Sequence, residues 1–189
     1  MSDTNTPSDS PSKAAILDSA AAILAQNPGA SLASIAEGAG VGRATLHRYF
    51  PSRDDLICAI AADSIHAIDS AVEGLEKRAS SASHLLELVI EAIVPLGERY
   101  HFLTSEASGI VDEESSTALE RQYNELASLV DSCKAEGAID PSVPTAWAVG
   151  AIDALIYAAW SLTASGHVAR LDAAALVTRT TLRGMRPNP

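Results

Sequence analysis

The chain has 189 residues, 47% of them hydrophobic and 20% charged, with a net charge of −11. That is enough chain to bury a core without staples, and two dispersed cysteines exclude a disulfide framework. The acidic total argues against a nucleic-acid partner for the whole surface, but charge is unevenly spread. Between Lys13 and Arg53 there are four basic residues (Lys13, Arg43, Arg48, Arg53) against Asp18 and Glu37, whereas from Asp54 onward nine basic residues face twenty acidic ones. A locally basic head on an acidic body can approach a duplex head first.

Residues 1–12 are Ser, Thr, Asp and Pro without a basic-then-apolar order, and read as a disordered tail, not a leader. Ser12 is placed to cap a first helix with Leu17, Ala21 and Leu24 on one face, ended by Asn27-Pro28-Gly29. Ser31 caps a short second helix, Leu32 to Glu37, broken by Gly38-Ala39-Gly40. A third short helix runs from Arg43 to Tyr49 and stops before Pro51. Ser52 with Asp55 forms a capping box for a long fourth helix, striped by Leu56, Ile60, Ile68, Val72 and Leu75.

After a Ser-rich break at 80–83, apolar spacing predicts helices near His84 to Leu103, Ile110 to Glu136, Pro144 to Ser165 and Asp172 to Gly184. No segment alternates as a strand, so the class is all-α. Ala146 to Ala164 approaches membrane length, but Asp153 lies within it, and a carboxylate at the centre of a span costs roughly 2.5–3.5 kcal/mol. It reads as a buried helix. Cys58 and Cys133 match no metal spacing and read as free thiols in a reducing cytoplasm, and the five histidines form no ligand pair. No metal or cofactor is expected.

Two short helices joined by a glycine-bearing turn and braced by a third suit DNA, because the major groove admits one α-helix. Ile35, Val41, Leu46, Phe50 and Leu56 are the apolar positions that pack such a unit, leaving Arg43, Thr45, His47, Arg48 and Tyr49 to face a duplex. The run from Ile35 through Gly38-Ala39-Gly40-Val41-Gly42-Arg43-Ala44-Thr45-Leu46-His47-Arg48-Tyr49-Phe50-Pro51 to Leu56 resembles the signature of the tetracycline-repressor (TetR) family. The resemblance covers about residues 13–60. It implies a helix-turn-helix DNA-binding domain at 13–58, a helical effector-binding and dimerisation domain at 59–189, and a cytoplasmic homodimeric repressor. Such a repressor binds a palindromic double-stranded operator and is released by a small, largely apolar effector.

On this reading Arg43, Ala44, Thr45 and His47 meet bases, while Ser31, Tyr49 and Arg53 meet phosphate. Ala44 stands where the family commonly has glycine and His47 where it has tyrosine, so base preference is this chain's own. Effector candidates are the rarer body side chains: His66, Tyr100, His101, Phe102, Tyr123, Trp147, Asp153, Tyr157 and Trp160. Interface candidates are Ile152, Ile156 and Trp160 on one helix with Leu171, Ala175, Thr178 and Leu182 on the next. The competing classes are a helical enzyme, for which the sequence carries no GxSxG, HExxH or P-loop, and a protein-interaction module that does not use its helix-turn-helix on DNA.

Overall fold

The computed structural model describes residues 13–105 and 109–187, excluding the side chains of 100, 101, 104 and 105, so the N-terminal tail lies outside it. Among the described residues there are helices and short 3-10 turns and no strand. The head comprises α1 (Lys13–Gln26), α2 (Leu32–Gly38) and α3 (Arg43–Tyr49), and α4 (Arg53–Val72) leads into the body. Ile16, Leu17, Ala20, Ala21 and Leu24 bury one face of α1, which packs on α2, on α4 and on the body helix α6 (Gly97–Ser105).

Local chemistry sets the head. The Ser31 hydroxyl accepts the Ser34 amide at 3.2 Å, which is the N-cap geometry of α2. Gly40 takes φ +68°, a left-handed turn that a side chain disfavours, and lets the Val41 amide close back on the Ala36 carbonyl at 2.9 Å. Ser52 and Asp55 form the reciprocal capping box at the start of α4, with amide-to-side-chain bonds of 2.9 and 3.1 Å.

The body continues with α5 (Ala82–Ile93), α6, α7 (Glu113–Ala135), α8 (Thr145–Ala164) and α9 (Arg170–Gly184). The single helix expected near 84–103 is two. Pro95 has no amide to donate, and the chain passes through a 3-10 turn at Val94–Leu96 before restarting as α6. α4 likewise ends at Val72, so Leu75 is buried from a separate 3-10 turn after Gly74, whose φ is +73°. The Glu136 carboxylate, just past α7, receives the first amides of α5 from Ala82 and Ser83 at 2.5 and 3.2 Å, tying the two helices end to end. At Gly97 an added Cβ would sit 2.6 Å from Trp160 Cβ, so this glycine permits the close approach of α6 to α8.

α8 departs most from expectation. It is apolar on all sides, yet only 28% of its apolar window is buried within the chain. Ala148, Val149, Ile152, Ile156 and Ala159 face inward, while Trp147 is 70% and Tyr157 44% exposed. Cys133 is buried and Cys58 half-buried, both free. Burial, with Glu136 nearby, pushes the Cys133 thiol up to about 11, which keeps it protonated and unreactive at neutral pH.

Candidate nucleic-acid interface and helical-body cavity

α3 is the most outward element of the head. Its first turn starts from Gly42 and its last turn closes when the Phe50 amide reaches the Leu46 carbonyl at 2.8 Å. Leu46 and Phe50 are buried against α1, α2 and α4, and that anchoring turns Arg43, Ala44, His47, Arg48 and Tyr49 to solvent, with Thr45 half-exposed. The predicted core and the predicted DNA-facing side chains thus fall on opposite sides of one short helix. The Arg48 guanidinium lies 5.3 Å from the Tyr49 ring centroid, a cation–π contact that holds both side chains on one side.

Two of the expected phosphate ligands have structural employment. Ser31 is the α2 cap and also bonds the Ser34 hydroxyl at 3.0 Å. Arg53 donates Nη1–H to the Ala30 carbonyl at 2.6 Å and Nη2–H to the Pro28 carbonyl, fastening the α1–α2 turn to the start of α4. A half-buried guanidinium spent on two carbonyls shapes the head first and has less capacity for a phosphate.

The body holds a cavity of about 530 Å³. Ile68, Asp69 and Val72 of α4, Leu85, Val89, Ile90 and Ile93 of α5, and Leu103 of α6 form part of its wall. The remainder is Glu76, then Leu119, Gln122, Tyr123, Glu125, Leu126 and Leu129 of α7, and Val149, Ile152, Asp153 and Ile156 of α8. Of the effector candidates, Tyr123 and Asp153 line it. Phe102 is fully buried in the packed core and is not part of the wall. His66, Trp147 and Tyr157 are exposed, because their helical phase turns them away from the bundle axis. The side chains of Tyr100 and His101 lie outside the described residues, and Trp160 packs on Gly97.

The interface candidates need a similar correction. Ile152 and Ile156 are 1% and 2% exposed and belong to the cavity wall, so the outward face of α8 is instead Trp147, Gly150, Ala154 and Tyr157 at i, i+3, i+7 and i+10. On α9, Leu171 is 96% exposed, Ala175 is exposed, and Thr178 and Leu182 are half-buried.

Sequence reasoning missed Arg99. On α6, it pairs through Nη2 with Asp18 of α1 and through Nη1 with Asp63 of α4. Burial opposes its charge, but the hydrogen bond and charge of Asp63, with those of Asp18, outweigh it and raise its pKa. Leu103, one turn further along α6, lines the cavity, so one helix touches both the cavity and the junction with the head. Asp69 and Gln122 were also missed: Gln122 Nε2 donates to Asp69 Oδ1 at 2.8 Å across the α4–α7 seam. No motif marks residues whose partners lie more than fifty positions away.

Residues 16–60 match the family model for bacterial regulatory proteins of the tetR family. Over 134 residues the chain is 33% identical to the HTH-type transcriptional repressor LfrR of Mycolicibacterium smegmatis, an alignment covering 71% of this chain and 69% of that repressor. The crystal structure of LfrR from Mycobacterium smegmatis in complex with proflavine has a TM-score of 0.73 and 28% identity, covering 93% of this chain and 96% of that one. The regulator FadR from Bacillus subtilis in complex with stearoyl-CoA shares the fold at a TM-score of 0.66 and 19% identity, covering 93% of this chain and all (100%) of that one.

Proposed function

The chain belongs to the tetR family of bacterial regulatory proteins and is a DNA-binding transcriptional regulator, not an enzyme; on that premise we propose that it is a homodimeric repressor released from its operator by a small molecule held in the body cavity. The observation that carries this reading is α6, which contributes Leu103 to the cavity wall and Arg99 to the ion pairs with the head helix α1 and with α4. The relative of known structure, LfrR, was crystallised with proflavine, and the cavity here has the size of a ligand site.

The dimer is argued from uncovered apolar surface. Trp147, Tyr157 and Leu171 stand exposed on adjacent helices, α8 and α9 pack against each other, and pairing these faces across a two-fold axis buries what one chain leaves wet. The same covering accounts for α8 in a cytoplasmic protein: its apolar length serves a subunit contact, not a bilayer. Two heads on such an axis address successive major grooves about 34 Å apart, so the operator is an approximate palindrome.

In each head Arg43, Ala44, Thr45 and His47 meet base edges and Arg48 and Tyr49 meet the backbone, with Ser31 and Arg53 shaping the turns that aim α3. A ligand acts only through different affinities for the two body states. Because α4 and α6 both line the cavity and both enter the Arg99 cluster, a shift in either changes the angle of the heads. Selection from a random duplex pool checks the reading. The expected product is a palindrome with half-sites about one helical turn apart, bound less tightly as salt rises; enrichment of no sequence at low salt would sink it.

A further inference from the structure

The cavity wall carries charge of one sign. Asp69, Glu76, Glu125 and Asp153 line it, from α4, the turn after it, α7 and α8, and among the described residues no Lys, Arg or His does. Arg121, beside the lining, pairs with Asp69 at 2.6 Å and Glu125 at 3.2 Å and is itself half-exposed to water. Four carboxylates against one guanidinium leave an excess of three negative charges around a space otherwise built from Leu, Ile and Val.

That combination discriminates by charge. An anion entering it meets repulsion in a partly desolvated site, where charges interact several-fold more strongly than in water. A neutral apolar molecule gains the aliphatic wall but strips water from carboxylates without compensation. An organic cation gains both, because its skeleton covers Leu126, Val149 and Ile156 while its positive nitrogen offsets the carboxylate excess. Tyr123, half-exposed at the edge of the cavity, adds an aromatic face suited to a cation.

We propose that the cavity selects lipophilic organic cations, with Asp153 on α8 as the carboxylate that sets the preference. This deepens the effector-cavity reading above and rests on it, and it replaces the largely apolar effector expected from sequence with a charged amphiphile. Asp153 is singled out because it is the one ionisable residue on an otherwise apolar helix, α8, whereas Asp69 and Glu125 already share Arg121.

Three tricyclic probes of nearly one shape test the idea on the full-length dimer at pH 8: 9-aminoacridine as cation, acridine as neutral molecule and acridine-9-carboxylate as anion. Titration calorimetry should give a cation Kd about tenfold below that of acridine, which corresponds to about 1.4 kcal/mol, with the carboxylate weaker still. Asp153→Asn should erase most of the cation-to-neutral ratio and leave acridine affinity unchanged. Leu126→Trp, which fills the cavity, should weaken all three, separating the site from the acidic surface. Equal affinities for the three probes overturn the cation selection and leave the cavity reading standing. An unchanged ratio in Asp153→Asn overturns the role of Asp153, and binding of none of the probes takes down both readings.

Discussion

The head and the body of this regulator are both helical, but they use their interiors in opposite ways. In the head, Leu46, Phe50, Ile35 and Leu56 are at most 2% exposed, so three short helices are fixed by packing and every functional side chain stands outside. In the body, α4 to α8 surround a cavity of about 530 Å³ and leave an apolar face uncovered on α8. One region gains function from a filled core that aims a surface, the other from an unfilled core that can be occupied. A rigid reader joined to a fillable body is a physical arrangement for a switch, provided that the joint transmits.

The contrast can be broken first at the head's core. Phe50→Ala removes a fully packed ring and should cost about 3–5 kcal/mol, enough to unfold a short three-helix unit. Urea unfolding followed by circular dichroism should then show an early transition and loss of DNA binding, with the cavity still binding its ligand. Simultaneous collapse of both functions would mean that head and body are one cooperative unit and that the division drawn here is wrong.

Next come two arginines that the sequence alone treats alike. Arg53 bonds the Ala30 and Pro28 carbonyls, so Arg53→Ala should destabilise the head by about 1.5–3 kcal/mol, the range for hydrogen bonds to charged groups. Arg43 is exposed and makes no such bond among the described residues, so Arg43→Ala should leave stability alone and relax discrimination at one base pair by about 1–3 kcal/mol. Thermal melts beside binding to operator point variants separate the two; matching profiles for both substitutions would refute the assignment.

The joint gives a smaller effect. Arg99→Met keeps the aliphatic stem and removes the pairs with Asp18 and Asp63. Operator affinity without ligand should change little, while the ligand-induced loss of affinity should shrink by about fivefold, the low end of ordinary allosteric coupling. A full ligand response in this variant, measured by fluorescence anisotropy, would place the transmission elsewhere.

The head was legible in sequence because its geometry is decided locally. Ser31, Gly40, Ser52 and Asp55 each specify a cap or turn within four residues, and the structure shows each in that role. The body was less so. Leu85 and Val89 line the cavity while Leu86 is buried core, and all are aliphatic residues within two turns of one helix. A cavity is a shortfall of packing summed over several helices, which periodicity cannot register. Rarity also misled: Trp147 and Tyr157 stood out in sequence but face outward, while Arg99 and Gln122, ordinary in sequence, join distant segments. Pro95 did carry a signal for the break between α5 and α6, and the apolar spacing around it masked that signal.

The account rests on the claim that an occupied cavity and a DNA-bound head are competing states of one dimer. Reciprocal titration tests this most directly: proflavine affinity measured with and without saturating selected operator, and operator affinity with and without saturating proflavine. Linkage requires the two factors to be equal, and the predicted result is that each ligand weakens the other by the same factor, about fivefold or more. Independent binding, with both affinities unchanged, would contradict the account.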